Sequence, residues 1–209
     1  PVRYITNRSS GKMGYAMARA ALAQDAEVIL VTGPVDLPEP PGIEVRKVVS
    51  ANEMYEATHE FIADADIFIS AAAVADYRPA SLKEQKIKKS EASMSIDLVR
   101  CPDILASVAA LETGPFTVGF AAETEKVDEY AQSKLEKKRL DMIIANRVGD
   151  DCGFDSDDNT VNVFWKEGER RYPQASKTAL ASALIELVAQ RYYAARGTNN
   201  THNALPTPP

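Results

Sequence analysis

Short apolar runs alternate with amphipathic helical stretches along most of this chain. That alternation restricts it to an α/β fold in which helices cover a mostly parallel sheet. Strands are expected at residues 27–32, 43–49, 66–74, 94–100, 116–121 and 141–146. Residues 66–74 (DIFISAAAV) read as a strong central strand. Helices are expected at about 12–24, 50–64, 102–111, 126–139 and 176–191. Ser50 and Glu53 form a capping box at the second of these, and Pro102 suits the first turn of the third. The first helix lacks the usual glycine after its end, so Asp25 is expected in the left-handed region at some cost. Residues 160–166 and 170–173 form a hairpin around Glu167-Gly168. Residues 78–93 read as a polar, lysine-rich loop, 149–159 as an acidic turn region and 197–209 as a disordered tail. The fold class is therefore a Rossmann-like three-layer α/β fold with a small hairpin extension and a flexible basic flap.

Composition narrows the partners. A chain of 209 residues that is 45% hydrophobic fills one ordinary core. Its net charge of -6 does not suit nucleic acid as the main partner. Two cysteines, Cys101 and Cys152, give neither a disulfide framework nor a zinc pattern. No apolar run approaches a membrane span, and no signal peptide is expected. A cytoplasmic protein without a membrane partner is the expectation.

Four segments carry possible chemistry. Residues 7–14 (NRSSGKMG) precede a helix, where free backbone N–H groups attract anions. A Walker A loop would need glycine at Thr6 and Ser or Thr at Met13, and a dinucleotide fingerprint would need glycine at Ser9. Both patterns fail, so a structural turn and a ligand loop stand level on the motif alone. The alanine run after the expected central strand leaves room for a ligand beside the backbone. Asp76 there offers a carboxylate to a ribose or base, or is an ordinary turn residue. Residues 83–89 (KEQKIKK) are a basic run that is either solvated surface or a flap over phosphates. Tyr130 and Lys134 share a helix face, as Lys134 and Lys138 do. Phe120 at a strand end either packs the core or stacks on a base. His59 and His202 build no catalytic set.

In order, SSGKMG (9–14), AAVADYR (72–78), KIKK (86–89), PDIL (102–105) and GFAAET (119–124) resemble phosphopantothenoylcysteine synthetases, the synthetase half of a bifunctional coenzyme A biosynthesis protein. The similarity runs from Pro1 to about Tyr192, so one domain over 1–192 and a tail over 193–209 are expected. The resemblance implies a ligase. The carboxylate of 4′-phosphopantothenate would attack the α-phosphate of CTP, and the amine of L-cysteine would then displace CMP. It implies Mg²⁺ as cofactor and CTP as co-substrate. By motif, Asn7 would orient the acyl carbonyl, with Arg3, Asn7 and Ala72 on the pantothenate side. Ser70, Ala71, Ala72 and Asp76 would line the nucleotide site, and Lys86 would close from the flap. Pro102, Asp103, Ile104, Leu105 and Phe120 would surround the base, and Lys134 and Lys138 would complete the site. Metal ligands are not assigned. A homodimer is implied, with fusion to a flavin-dependent decarboxylase in the full-length protein. The resemblance also implies a strand upstream of Pro1 in the nucleotide-binding sheet.

Two rival readings remain. One is an NADP-dependent short-chain dehydrogenase using Tyr130 and Lys134. It needs a glycine-rich turn the chain lacks and a serine about a dozen residues before the tyrosine, where only Thr117 stands. The other is a non-catalytic nucleotide-binding fragment.

Overall fold

The computed structural model describes residues 4–81, 93–123, 125–147 and 158–197. Helix α1 spans Lys12–Leu22 and leads to strand β1, Ile29–Thr32. Strand β2, Glu44–Lys47, pairs with β1 in parallel, and the two form a sheet of their own. Helix α2, Ala51–Phe61, ends in a 3-10 turn, Ile62–Asp64, before β3, Ile67–Ser70. Short strands β4, Tyr77–Pro79, and β5, Leu98–Arg100, pair antiparallel. Then come α3, Ile104–Ala109; β6, Phe116–Glu123; α4, Val127–Lys138; and β7, Met142–Arg147. Strands β8, Asp158–Trp165, and β9, Gly168–Ser176, precede the last helix, α5, Lys177–Ala195.

The main sheet has the order β3-β6-β7-β8-β9. Its first three strands are parallel, and β8 and β9 join antiparallel. The expected mostly parallel sheet is therefore corrected to a mixed one. The expected hairpin is there, but it extends the main sheet through β8.

Side chains on a strand alternate between faces, and β7 shows what that does. Met142 and Ile144 enter one core with α1 and α5. Ile143 and Ala145 enter a second core with α4, against which Leu105 and Ala109 of α3 pack. Helices thus cover both faces. All four β7 residues are essentially buried. Full burial of one such large aliphatic side chain stabilises by about 1.5–3 kcal/mol.

Strand β3 corrects the central-strand expectation. Among the described residues it pairs only with β6, and all four of its residues are half-buried. Strand β1 likewise pairs only with β2, which leaves each of the two with an unpaired edge.

Local signals place the helices well. Ser50 Oγ accepts from the Glu53 N–H at 3.2 Å, while Glu53 Oε2 accepts from the Val49 N–H at 2.8 Å. The reciprocal bond falls one residue before the cap that the capping-box reading expects. Asp25 takes φ 60°, the left-handed position expected for it. Pro102 is not in the first turn of α3. Asp103 is the cap, and its Oδ1 accepts from the Ala106 N–H at 3.0 Å.

Candidate functional site at the end of strand β3

Strand β3 stops at Ser70, which stands opposite Gly119 of β6. Strand β6 runs on through Phe120 to Glu123. The step between a strand that ends and a neighbour that continues lies at the carboxyl end of the parallel strands, the side on which ligands bind in such folds.

Three segments meet at this level. The opening loop arrives first. Asn7 Nδ2 donates to the Val74 carbonyl at 3.0 Å, tying the start of the chain to the segment after β3. Gly11 then turns into α1 with φ 72°. A Cβ at Gly11 would stand 2.8 Å from Val35 Cγ1, so glycine is needed for both conformation and space. A Cβ at Gly14 would lie 3.8 Å from that of Ala71, which puts the first turn of α1 against the alanine run.

The segment after β3 comes next. The Asp76 carbonyl accepts from the Cys101 N–H at 2.8 Å. The β4–β5 pairing therefore carries the chain from Asp76 back to the start of α3. Residues 78–93 were expected as loop, and β4 was missed. Three residues, two exposed and one a proline, give no pattern to read.

Helix α3 and helix α4 form the third side. Leu105 covers the place a Cβ would occupy on Gly119, 2.7 Å from Leu105 Cδ2. Ser107 Oγ donates to the Ile104 carbonyl at 2.8 Å and lies 2.9 Å from His59 Nε2, which ties α3 to α2. Lys138 Nζ bonds both oxygens of Asp103, at 3.0 and 2.7 Å. Burial pushes the Asp103 carboxyl up. The Lys138 hydrogen bond, the Ala106 N–H and the charges of Lys138 and Arg100 outweigh it, and the net shift is downward.

The sequence-derived residues thus divide. Asn7, Ser70, Ala71, Ala72, Asp76, Pro102, Asp103, Ile104, Leu105 and Lys138 fall on the three segments that meet. Ser70, Ala71 and Ile104 are partly or fully buried, whereas Asn7, Ala72 and Asp76 are exposed. Phe120 is half-buried and packs against the α1–α5 core, so core contact is part of its role. Lys134 is exposed on α4, one turn before Lys138. Arg3, Lys86 with the basic flap, Cys152, His202 and the tail after Gly197 lie outside the described residues. Tyr130 is half exposed on α4, and Thr117, in the serine's stead, is buried in β6 with its hydroxyl on Asp141 at 2.9 Å. Among the described residues no group of three or more His, Cys, Asp or Glu side chains is placed to hold a metal. No helix among them is long and apolar enough to cross a membrane.

The opening loop, the segment after β3 and the start of α3 thus converge at the carboxyl end of the parallel strands of an α/β domain, the side on which such domains bind ligands. Residues 1–192 match the family model described as the DNA/pantothenate metabolism flavoprotein C-terminal domain. The chain is 54% identical over 192 residues to the coenzyme A biosynthesis bifunctional protein CoaBC of Vibrio vulnificus strain YJ016, covering 90% of this chain and 48% of the relative. It is 46% identical over 197 residues to the CoaBC of Escherichia coli strain K12, covering 92% of this chain and 48% of that one. A crystal structure of the C-terminal domain of CoaBC superposes with TM-score 0.77 at 38% identity, covering 91% of this chain and 87% of the other. The chain belongs to the DNA/pantothenate metabolism flavoprotein C-terminal domain family, and it spans about half the length of the curated relatives it matches.

Proposed function

We propose that this domain is a CTP-dependent phosphopantothenate–cysteine ligase, acting in coenzyme A biosynthesis. The observation that supports the reading is the Asn7–Val74 bond, which holds a neutral amide beside the segment that follows β3. The relatives at 54% and 46% identity, both CoaBC proteins, support the choice of reaction. Membership of this family displaces the dehydrogenase reading.

The chemistry asks for position and charge rather than for a protein nucleophile. The carboxylate oxygen of 4′-phosphopantothenate bonds to the α-phosphorus of CTP, and pyrophosphate leaves with the electron pair of the broken bond. The amine of L-cysteine then bonds to the acyl carbon and loses a proton, and CMP leaves. An amide N–H at Asn7 would hold the acyl oxygen as charge builds on it in the second step. Ser70, Ala71 and Ala72 would offer backbone beside the nucleotide, and Asp76 a carboxylate to it. Pro102, Asp103, Ile104, Leu105 and Phe120 would border the base. Lys134, Lys138 and Lys86 from the flap would face the phosphates, with Arg3 and Ala72 toward the pantothenate. Mg²⁺ held mainly by phosphates needs only one or two protein carboxylates, and exposed Asp76 suits that. The ion would neutralise triphosphate charge.

A homodimer suits the surface. Tyr77, Met94, Ile96, Leu98 and Val99 are exposed on or beside the β4–β5 pair. Several exposed apolar side chains gathered on one strand pair are what a partner subunit covers. A further strand on the open edge of β3, the one the resemblance implies, would complete that half of the sheet. The remaining half of the curated relatives' length leaves room for the decarboxylase partner.

Incubation with 4′-phosphopantothenate, CTP and Mg²⁺ should release pyrophosphate without cysteine, and adding cysteine should yield the amide and CMP. No pyrophosphate release under either condition would overturn the ligase assignment and leave a non-catalytic nucleotide-binding domain.

A further inference from the structure

The β8–β9 hairpin supplies none of the candidate site residues, yet it holds one end of the helix that carries Lys134 and Lys138. Asp128, in the first turn of α4, accepts from Asn162 Nδ2 at 2.7 Å and from Arg171 Nη2 at 3.2 Å. Asn162 on β8 and Arg171 on β9 are directly paired across the strands. They therefore present one two-pronged donor surface to a single carboxylate. Charge-assisted hydrogen bonds of this kind are stronger than neutral ones and more directional.

Helix α4 needs such a hold. It has a narrow apolar stripe, with Ala131 and Leu135 buried and Val127 packed beside them. Its flanking residues, Lys126 and Arg139, are both left-handed without being glycine, and Lys126 makes no side-chain cap. With about 100° between successive residues, Asp128 and Lys134 stand on opposite flanks of the stripe, and Lys138 falls within it. Lys138 is anchored on Asp103 at the far end. Two anchors at opposite ends of a helix fix its roll about the stripe. Without the Asp128 anchor only the narrow stripe and the Lys138–Asp103 pair hold the roll, and Lys134, on the flank of the stripe, shifts with it.

We propose that Asp128, gripped by Asn162 and Arg171, is a positioning residue for the nucleotide site, and that it acts by setting the roll of α4 and hence the placement of Lys134. The inference rests on the ligase reading for what Lys134 does, but its geometry stands apart from it. The hairpin is then part of the binding apparatus, not only a cover for the sheet.

The test compares wild type, Asp128→Ala and the swap Asp128→Asn with Asn162→Asp. The swap restores one amide–carboxylate bond with its polarity reversed and sets the new carboxylate opposite Arg171. Asp128→Ala should raise the KM for CTP about tenfold, with kcat within about twofold and the KM for cysteine unchanged. The swap should recover most of the CTP affinity. Equilibrium dialysis of CTP with Mg²⁺ on the same three proteins should give the same ranking. If wild type binds CTP in that ranking but releases no pyrophosphate, the ligase reading fails and the positioning role stands. Unchanged CTP affinity in Asp128→Ala would overturn the role. So would a uniform fall in kcat that follows the folded fraction, or a swap that recovers nothing.

Discussion

The two halves of the molecule are made of similar sequence and end in different states. In the half built on β6, β7 and β8, adjacent strands pair on both sides and helices close both faces, so Met142, Ile143 and Ile144 are shut from solvent. In the half built on β1, β2 and β3, the apolar runs of β1 and β3 stay partly open. Ile29 is exposed, and no residue of β3 is fully buried. Burial is a property of neighbours, and the open half is short of them. It is also the half that carries Asn7, Gly11 and the alanine run. The closed half is the platform, and the open half presents the opening loop to the site.

The sharpest way to break that contrast is to cut matching side chains from each half. Ile144→Ala should lower stability by about 3–4 kcal/mol, because a closed core cannot collapse around the cavity. Ile69→Ala should cost only about 1–2 kcal/mol, since β3 is already half open. Urea melts of the two variants check this, and equal losses would mean that the halves are equally closed. Next in size is Gly11→Ala, expected to cost about 1–2 kcal/mol through its left-handed backbone and the contact with Val35. Because Gly11 directs the loop that holds Asn7, this variant should also lose amide formation beyond its loss in stability, as measured by amide yield with cysteine present at a temperature where it is fully folded.

A smaller effect probes the join on the α3–α4 side of the site. The folded Asp103 carboxyl titrates below its ordinary value. Its contribution is therefore fully present above the unfolded carboxylate pKa of about 3.9 and is lost as pH falls through the lower folded value. The stability gap between wild type and Asp103→Asn should be flat above about pH 5 and shrink below about pH 4. Thermal melts over that range check it, and a gap that widens on acidification would show that Lys138 does not stabilise the charged form.

Particular residues show why some of this was legible beforehand and some was not. Ser50, Glu53 and Asp25 act within a few residues of their partners, so their caps and turn could be read directly. The long apolar runs of β6 and β7 were equally plain. The status of 66–74 was not, because a central and an edge strand have the same composition. The direction of β8 was hidden for a similar reason: a hairpin can be recognised locally, but which strand it pairs with depends on the whole sheet. In the site, Asn7 and Val74 are 67 residues apart and meet through one amide bond, which no spacing encodes. Resemblance picked out Asp103 and Lys138 separately, and only the fold shows that they hold each other. Asp128, Asn162 and Arg171 were not singled out at all, since each alone is an ordinary polar residue on an ordinary element.

The central claim concerns Asn7, the residue that joins the opening loop to the end of β3. Asn7→Asp replaces an amide donor with a carboxylate of nearly the same shape. Quenched-flow measurement with 4′-phosphopantothenate, CTP and cysteine should show pyrophosphate released at close to the wild-type rate while amide forms at least about tenfold more slowly, so that acyl-cytidylate accumulates. Equal slowing of both steps, with no intermediate detected, would contradict the assignment of Asn7 to the acyl end of the site.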